Sequence, residues 1–157
     1  MEYEEYKTHL SEYLQSNKDY PRSIFVEATP LCNLRCVMCP CYVPGEEVTK
    51  DRRNIYLSFK SFRRIIEPIK GKFNFQICFT YSGEPLLNPE IFKMVKYLKE
   101  NKIPVVIHSN AMLLTKQRIK KMLESGLDRF IVSFDGATKK TYEDIKKGAK
   151  FEVVIDN

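Results

Sequence analysis

Residues 73–90 read FNFQICFTYSGEPLLNPE, and this stretch decides the architecture. Phe73, Phe75, Ile77, Phe79 and Tyr81 alternate with Asn74, Gln76, Cys78 and Thr80, which is the period of a β-strand. The aromatic and aliphatic face suits packing beneath helices, and Cys78 and Thr80 fall on the opposite face, continued by Ser82. Asn88 followed by Pro89 then reads as a helix start, a capping side chain ahead of a first-turn proline, with the helix predicted to run to about Asn101. A strand that passes through a short polar connection into a helix is the core of a βα unit.

The unit recurs on both sides. Downstream, Ile103–His108 reads as a strand, Thr115 caps a helix through Leu123 that stops at Gly126, and Arg129–Phe134 reads as a further strand. Thr138 opens a helical stretch, interrupted near Gly148 and resumed by Phe151, Val154 and Ile155. Upstream, Ser58 caps a helix that places Phe59, Phe62, Ile65, Ile66 and Ile69 on one face, with Gly71 past its end, and Ser23–Ala28 is the first strand. Four strands alternating with helices predict an α/β fold of parallel βα repeats. Such folds gather their functional groups at the C-terminal ends of the strands. Here those ends are TPLCNLRCVMC, SGEP, HSNA and SFDG, and the phosphate-cradling patterns GxGxxG and GxxxxGK[ST] do not occur.

In front of this core, Tyr3, Tyr6, Leu10, Tyr13 and Leu14 recur at spacings of three and four, so residues 2–16 are expected to form an amphipathic helix whose aromatic stripe packs on the domain. Residues 1–21 are accordingly an N-terminal helix and linker, and residues 22–157 the core. The polar stretch 40–57 is a long loop and a candidate lid. The chain of 157 residues, 43% hydrophobic, is of a size for one globular domain. Its longest apolar runs, Cys36–Cys39 and Ala111–Leu114, fall far short of the ~20 residues a membrane span needs. The start MEYEEYKTHL is acidic where a secretory signal is basic and then apolar, so a cytoplasmic location is expected. The net charge of +6 is attributed to lysines on solvated helix faces, and nucleic-acid binding is not expected.

The five cysteines carry more information than the charge. Four lie in LCNLRCVMCPCY, residues 31–42, and an odd total without a secretory signal argues against a disulfide framework. Cys32, Cys36 and Cys39 form C-x3-C-x2-C. Three thiolates from one short loop can grip three corners of a cubane iron-sulfur cluster and leave the fourth iron open, whereas an electron-transfer ferredoxin supplies four cysteines. Zinc prefers two ligand pairs separated by a longer loop, and Cys41, two residues past Cys39 with Pro40 between, is awkwardly placed to close a tetrahedral site. Cys41 and Cys78 are read as a loop thiol and a strand side chain.

Together, CNLRCVMCP, SGEPLLNPE, HSNAMLLT and GLDRFIVSFDGATKKTYEDIKKG resemble the radical S-adenosylmethionine (SAM) superfamily in order and spacing, over about residues 22–157. The likeness is greatest to the branch of molybdenum-cofactor, pyrroloquinoline-quinone and sulfatase-maturating enzymes. It implies that Cys32, Cys36 and Cys39 hold a 4Fe-4S cluster whose open iron is chelated by the methionine moiety of SAM. It further implies that the backbone of Ser82, Gly83 and Glu84 meets the SAM amino group, that Ser133 and Asp135 face the ribose hydroxyls, and that Ser109 and Asn110 lie near SAM or substrate. Met38 stands where most relatives have an aromatic residue, so its backbone is left to contact the adenine. The implied chemistry is reductive cleavage of SAM and hydrogen abstraction from a small-molecule or peptide substrate, with an external one-electron donor such as flavodoxin or ferredoxin.

The family core is a TIM-like partial barrel of six βα units. Eight-unit barrels take about 250 residues, so six need about 190, and residues 22–157 accommodate about four. The expectation is therefore an N-terminal portion of such an enzyme, complete only in a longer form or with a complementing C-terminal partner. The alternative is a non-catalytic fragment that binds the cluster or SAM.

Overall fold

The computed structural model describes residues 3–5, 7, 8, 12, 20–40 and 55–157. Four strands, β1 (Ser23–Val26), β2 (Gln76–Phe79), β3 (Val105–Ser109) and β4 (Arg129–Val132), form one sheet in the order β1-β2-β3-β4, every pair parallel. Helices α1 (Phe59–Ile66), α2 (Ile91–Glu100), α3 (Lys116–Glu124), α4 (Lys139–Ile145) and α5 (Phe151–Asp156) occupy the connections and the C-terminal stretch. Sequential strands that pair in parallel with helical crossovers form the wall of a TIM-like partial barrel, as the alternation predicts.

Sheet polarity follows from side-chain period. Ile77 and Phe79 of β2 and Val105 and Ile107 of β3 are fully buried in the main core with Phe62 and Ile66 of α1 and Met94, Val95 and Leu98 of α2. The other face carries the register row Phe25, Cys78, Val106 and Arg129, of which Phe25 is 63% exposed. A second apolar cluster sits beyond the strand ends and joins Leu34 of the cysteine loop to Leu86, Leu114, Tyr142, Ala149 and Val154.

Several expectations need adjustment. Strand β2 is shorter than Phe73–Tyr81 because its ladder begins only where Ser23 meets Gln76; Phe73 instead stacks on Tyr20. Ser58 and Thr115 accept from Ser61 N and Arg118 N as caps, but Ile65 is half exposed, turned away from the line of Phe59, Phe62, Ile66 and Ile69. Helix α2 starts at Ile91, later than the Asn88-Pro89 reading places it and after a short 3-10 turn, Pro85–Leu87, but Asn88 Oδ1 does accept from Glu90 N at 2.9 Å in the turn that leads into it. The Asn88 amide donates to Ala28 O at 2.8 Å and Leu57 O at 2.9 Å, so it clamps the two ends of the first connection. Residues 3–5, 7, 8 and 12 are helical, with Tyr3 exposed rather than packed; the rest of the expected 2–16 helix, residues 41–54 of the lid candidate and Cys41 lie outside the described residues. No helix among the described residues is long and apolar enough to cross a membrane.

Candidate functional site

At the end of β2 the chain is locked in place before any ligand is considered. Glu84 is 2% exposed, and its carboxylate accepts from Ser109 Oγ at 2.8 Å, Leu86 N at 3.0 Å and Asn110 N at 2.9 Å. Burial pushes this carboxyl above its ordinary range, and the three donors pull it back. Its own N–H donates to Leu31 O at 2.7 Å, which ties the β2 end to the start of the cysteine loop. A Cβ on Gly83 would stand 1.8 Å from Thr29 O and 2.8 Å from Leu31 O, so only glycine permits this approach. Thr29 holds the same corner by donating to Ile55 O and accepting from Leu31 N. Ser82 Oγ donates to Glu27, and Tyr81, 84% exposed, takes a left-handed φ of 109° just before this lock. Such strain in a bulky residue is tolerated where the surroundings over-determine the backbone.

Ser109 and Asn110 extend the network. Both are buried; Ser109 Oγ also accepts from Ala111 N, and the Asn110 amide donates to Asn33 Oδ1 at 2.9 Å and reaches Cys32 Sγ at 3.8 Å. The ends of β2 and β3 are thus bonded directly to the cysteine loop. Ser133, beyond β4, donates its N–H to Ser109 O at 2.8 Å.

The loop itself is open. Cys32 is exposed, Cys36 and Cys39 are half-buried, Met38 is 53% exposed, and Cys39 N donates to Cys36 O in a tight turn. Shielding of the sulfurs by surrounding atoms pushes the Cys32 and Cys36 thiols up; Leu34 N, donating to Cys32 Sγ at 3.4 Å, and Lys146, acting on Cys36, oppose it. Both shifts favour the protonated thiols, whose protons a metal must displace to bind the sulfurs. Among the described residues no three Cys, His, Asp or Glu side chains converge on a point that would hold a single ion.

Past β4, Asp135 is 43% exposed at its side chain and pairs at 2.8 Å with Lys146, whose side chain is only 5% exposed. A Cβ on Gly136 would lie 2.6 Å from Tyr142 N, which packs this turn against α4. Tyr142 is fully buried and its hydroxyl has no hydrogen-bond partner among the described residues, an omission that costs about 1–3 kcal/mol unless something supplies one. Cys36 packs against the apolar cluster that contains Tyr142.

The structure thus brings Ser82, Gly83, Glu84, Ser109 and Asn110 into one knot against Cys32, and Asp135 into a second group beside Cys36. Ser133 is tied to the first of these groups through its N–H on Ser109 O, and Met38 joins neither. Sequence reasoning missed Thr29, Asn88, Tyr142 and Lys146. Asn88 was visible inside SGEPLLNPE but carried a plausible helix-start reading, and Lys146 was one of many helical lysines.

These features define a class: a parallel βα protein with a thiol loop after its first strand, facing a glycine turn that admits close backbone contact. The chain belongs to the Radical SAM superfamily, which it matches over residues 26–157. It is 32% identical over 131 residues to the AdoMet-dependent heme synthase of Methanosarcina barkeri, covering 80% of this chain and 34% of that protein. It is 31% identical over 140 residues to the GTP 3′,8-cyclase of Limosilactobacillus fermentum, covering 88% of this chain and 40% of that one. Among solved structures, BtrN in complex with AdoMet and 2-DOIA superposes with a TM-score of 0.65 at 25% identity, over 88% of this chain and 52% of BtrN. Streptococcus suis SuiB bound to S-adenosylmethionine has the same fold, with a TM-score of 0.72 at 20% identity over 96% of this chain and 33% of SuiB. The chain therefore spans about a third to two fifths of the length of the relatives it matches in sequence.

Proposed function

We propose that this chain is the cluster- and SAM-binding portion of a radical SAM enzyme. In this reading Cys32, Cys36 and Cys39 hold a 4Fe-4S cluster with one open iron, and the backbone of Ser82, Gly83 and Glu84 receives the SAM amino group. When bound, the pair supplies a one-electron reduction of the sulfonium and a 5′-deoxyadenosyl radical for hydrogen abstraction. The chain's own residues orient and enclose. Glu84 fixes the Gly83 turn from within, Ser109 and Asn110 hold Glu84 and the cysteine loop in mutual register, and Ser133 and Asp135 face the ribose. Met38 offers its backbone to the adenine. The observation that carries the reading is the approach of Gly83 to the Thr29 and Leu31 carbonyls, which sets the glycine turn against the first residues of the cysteine loop.

The electron comes from an external one-electron donor of the flavodoxin or ferredoxin kind, and the substrate is a small molecule or a peptide. Two neighbours support the peptide option in kind: SuiB was solved with the precursor peptide SuiA and anSMEcpe with the Cp18Cys peptide. Substrate would enter the sheet face carrying Phe25 and His108. Strand β4, an edge among the described residues with Val132 and Phe134 about 40% exposed, is where further barrel strands would add, from a longer chain or a complementing partner. The proposed compartment is the cytoplasm, which keeps thiols reduced. The test is anaerobic reconstitution with iron and sulfide followed by dithionite and SAM. Release of 5′-deoxyadenosine is the expected result; a loaded cluster that leaves SAM intact would make the chain a binding fragment only.

A further inference from the structure

We infer that the Tyr142 hydroxyl donates a hydrogen bond to the Cys36 sulfur once that sulfur is a cluster ligand, with the Lys146 ammonium beside it, and that these two residues set the reduction potential of the site. The inference rests on the cluster reading above and adds the groups that bear its charge.

The geometry begins with the backbone. Arg35 N donates to Lys147 O and Val37 N to Ile145 O, both at 2.9 Å, so Cys36 and Lys146 are centred opposite each other between two hydrogen bonds. The cysteine loop is thereby fastened to the end of α4 at its middle ligand. Tyr142 lies one helical turn before Lys146 and is held rigidly, stacked on Phe134 at 4.7 Å between ring centroids and edge-on to Phe151 at 5.7 Å. Both neighbours are phenylalanine, and a third would fill the same space without burying a hydroxyl. The sequence places a tyrosine there, and its oxygen is buried with no partner among the described residues.

Packing identifies the missing partner. Cys36 lies partly buried against the apolar cluster that contains Tyr142, and the two backbone bonds set it opposite Lys146, one turn on from that tyrosine. Asp135 already engages Lys146 through Oδ2, whereas nothing donates to Cys36 from a side chain among the bonds described. Reduction adds an electron to the cluster and makes its sulfurs more negative. A hydroxyl donor and a buried ammonium both favour that state and raise the potential. Lys146, at 5% side-chain exposure, is shielded from the solvent that would screen a surface lysine.

The test uses the full chain, reconstituted anaerobically with iron and sulfide and titrated with dithionite while the EPR signal of the reduced cluster is followed. Wild type is compared with Tyr142→Phe, Lys146→Met and Lys146→Arg. Tyr142→Phe is expected to keep full iron and the ring packing while its midpoint moves to lower potential. Lys146→Met should move it the same way and Lys146→Arg should recover most of the shift. A Tyr142→Phe midpoint equal to that of wild type at equal iron content overturns the proposal. So does an unchanged midpoint with weakened SAM binding, which would assign the hydroxyl to Asp135. A wild type that takes up no iron overturns the cluster reading itself, and iron content alone distinguishes that outcome.

Discussion

The turn after β2 and the loop after β1 face each other, yet they are built on opposite principles. Around Glu84 every carboxylate oxygen has a protein donor, the glycine approach is closed, and Ser109 and Asn110 are buried. Around Cys32, Cys36 and Cys39 the thiols are exposed or half-exposed and meet at no common point. The turn is held by the fold itself. In the proposed reading, such preorganisation avoids ordering costs on SAM binding, and metal uptake would order the thiol loop.

That contrast is broken or sharpened by a set of substitutions, the largest effect first. Cys32→Ala is expected to abolish cluster assembly while changing the metal-free chain's stability by no more than about 0.5 kcal/mol, and Cys41→Ala to retain the iron. Iron analysis and thermal unfolding check this pair, and equal iron loss in both variants would overturn the ligand assignment. Gly83→Ala should do the reverse, destabilising the metal-free chain by about 3 kcal/mol and loosening SAM, because the Thr29 carbonyl must move to admit the methyl group. Glu84→Gln turns an amide NH2 toward a backbone or hydroxyl donor and should cost about 1–3 kcal/mol in denaturant unfolding without touching iron content.

Protons give two smaller tests. Glu84 has a folded pKa above its ordinary 4.5, so the folded state binds more protons than the unfolded one and its contribution declines as pH rises from about that value through the folded one. The stability gap between wild type and Glu84→Gln should accordingly narrow across that window; a gap that widens contradicts the buried-carboxylate account. The raised Cys32 and Cys36 thiols predict iron uptake that speeds up with rising pH, measured as the initial rate of cluster absorbance.

What was legible in the sequence follows the same division. The strand alternation in FNFQICFTY, the caps Ser58, Thr115 and Thr138, and the C-x3-C-x2-C spacing are local signals, and the parallel sheet bears out the first of them. Asn88 was legible by half: its oxygen accepts from Glu90 N in the turn into α2, as Asn-Pro suggests, but only the fold brings Ala28 and Leu57 within reach of its amide. Lys146 and Tyr142 were invisible for a related reason: each is ordinary on its helix, and its meaning comes from Asp135 and Cys36, which a parallel crossover returns to its side.

The central claim is that a three-thiolate cluster with an open iron forms beside a preformed SAM turn. EPR of the reduced, reconstituted chain recorded before and after addition of SAM tests it most directly. The account predicts ~4 irons per chain and a reduced-cluster signal that changes when SAM is added. Zinc in place of iron, or a cluster signal indifferent to SAM, would contradict it.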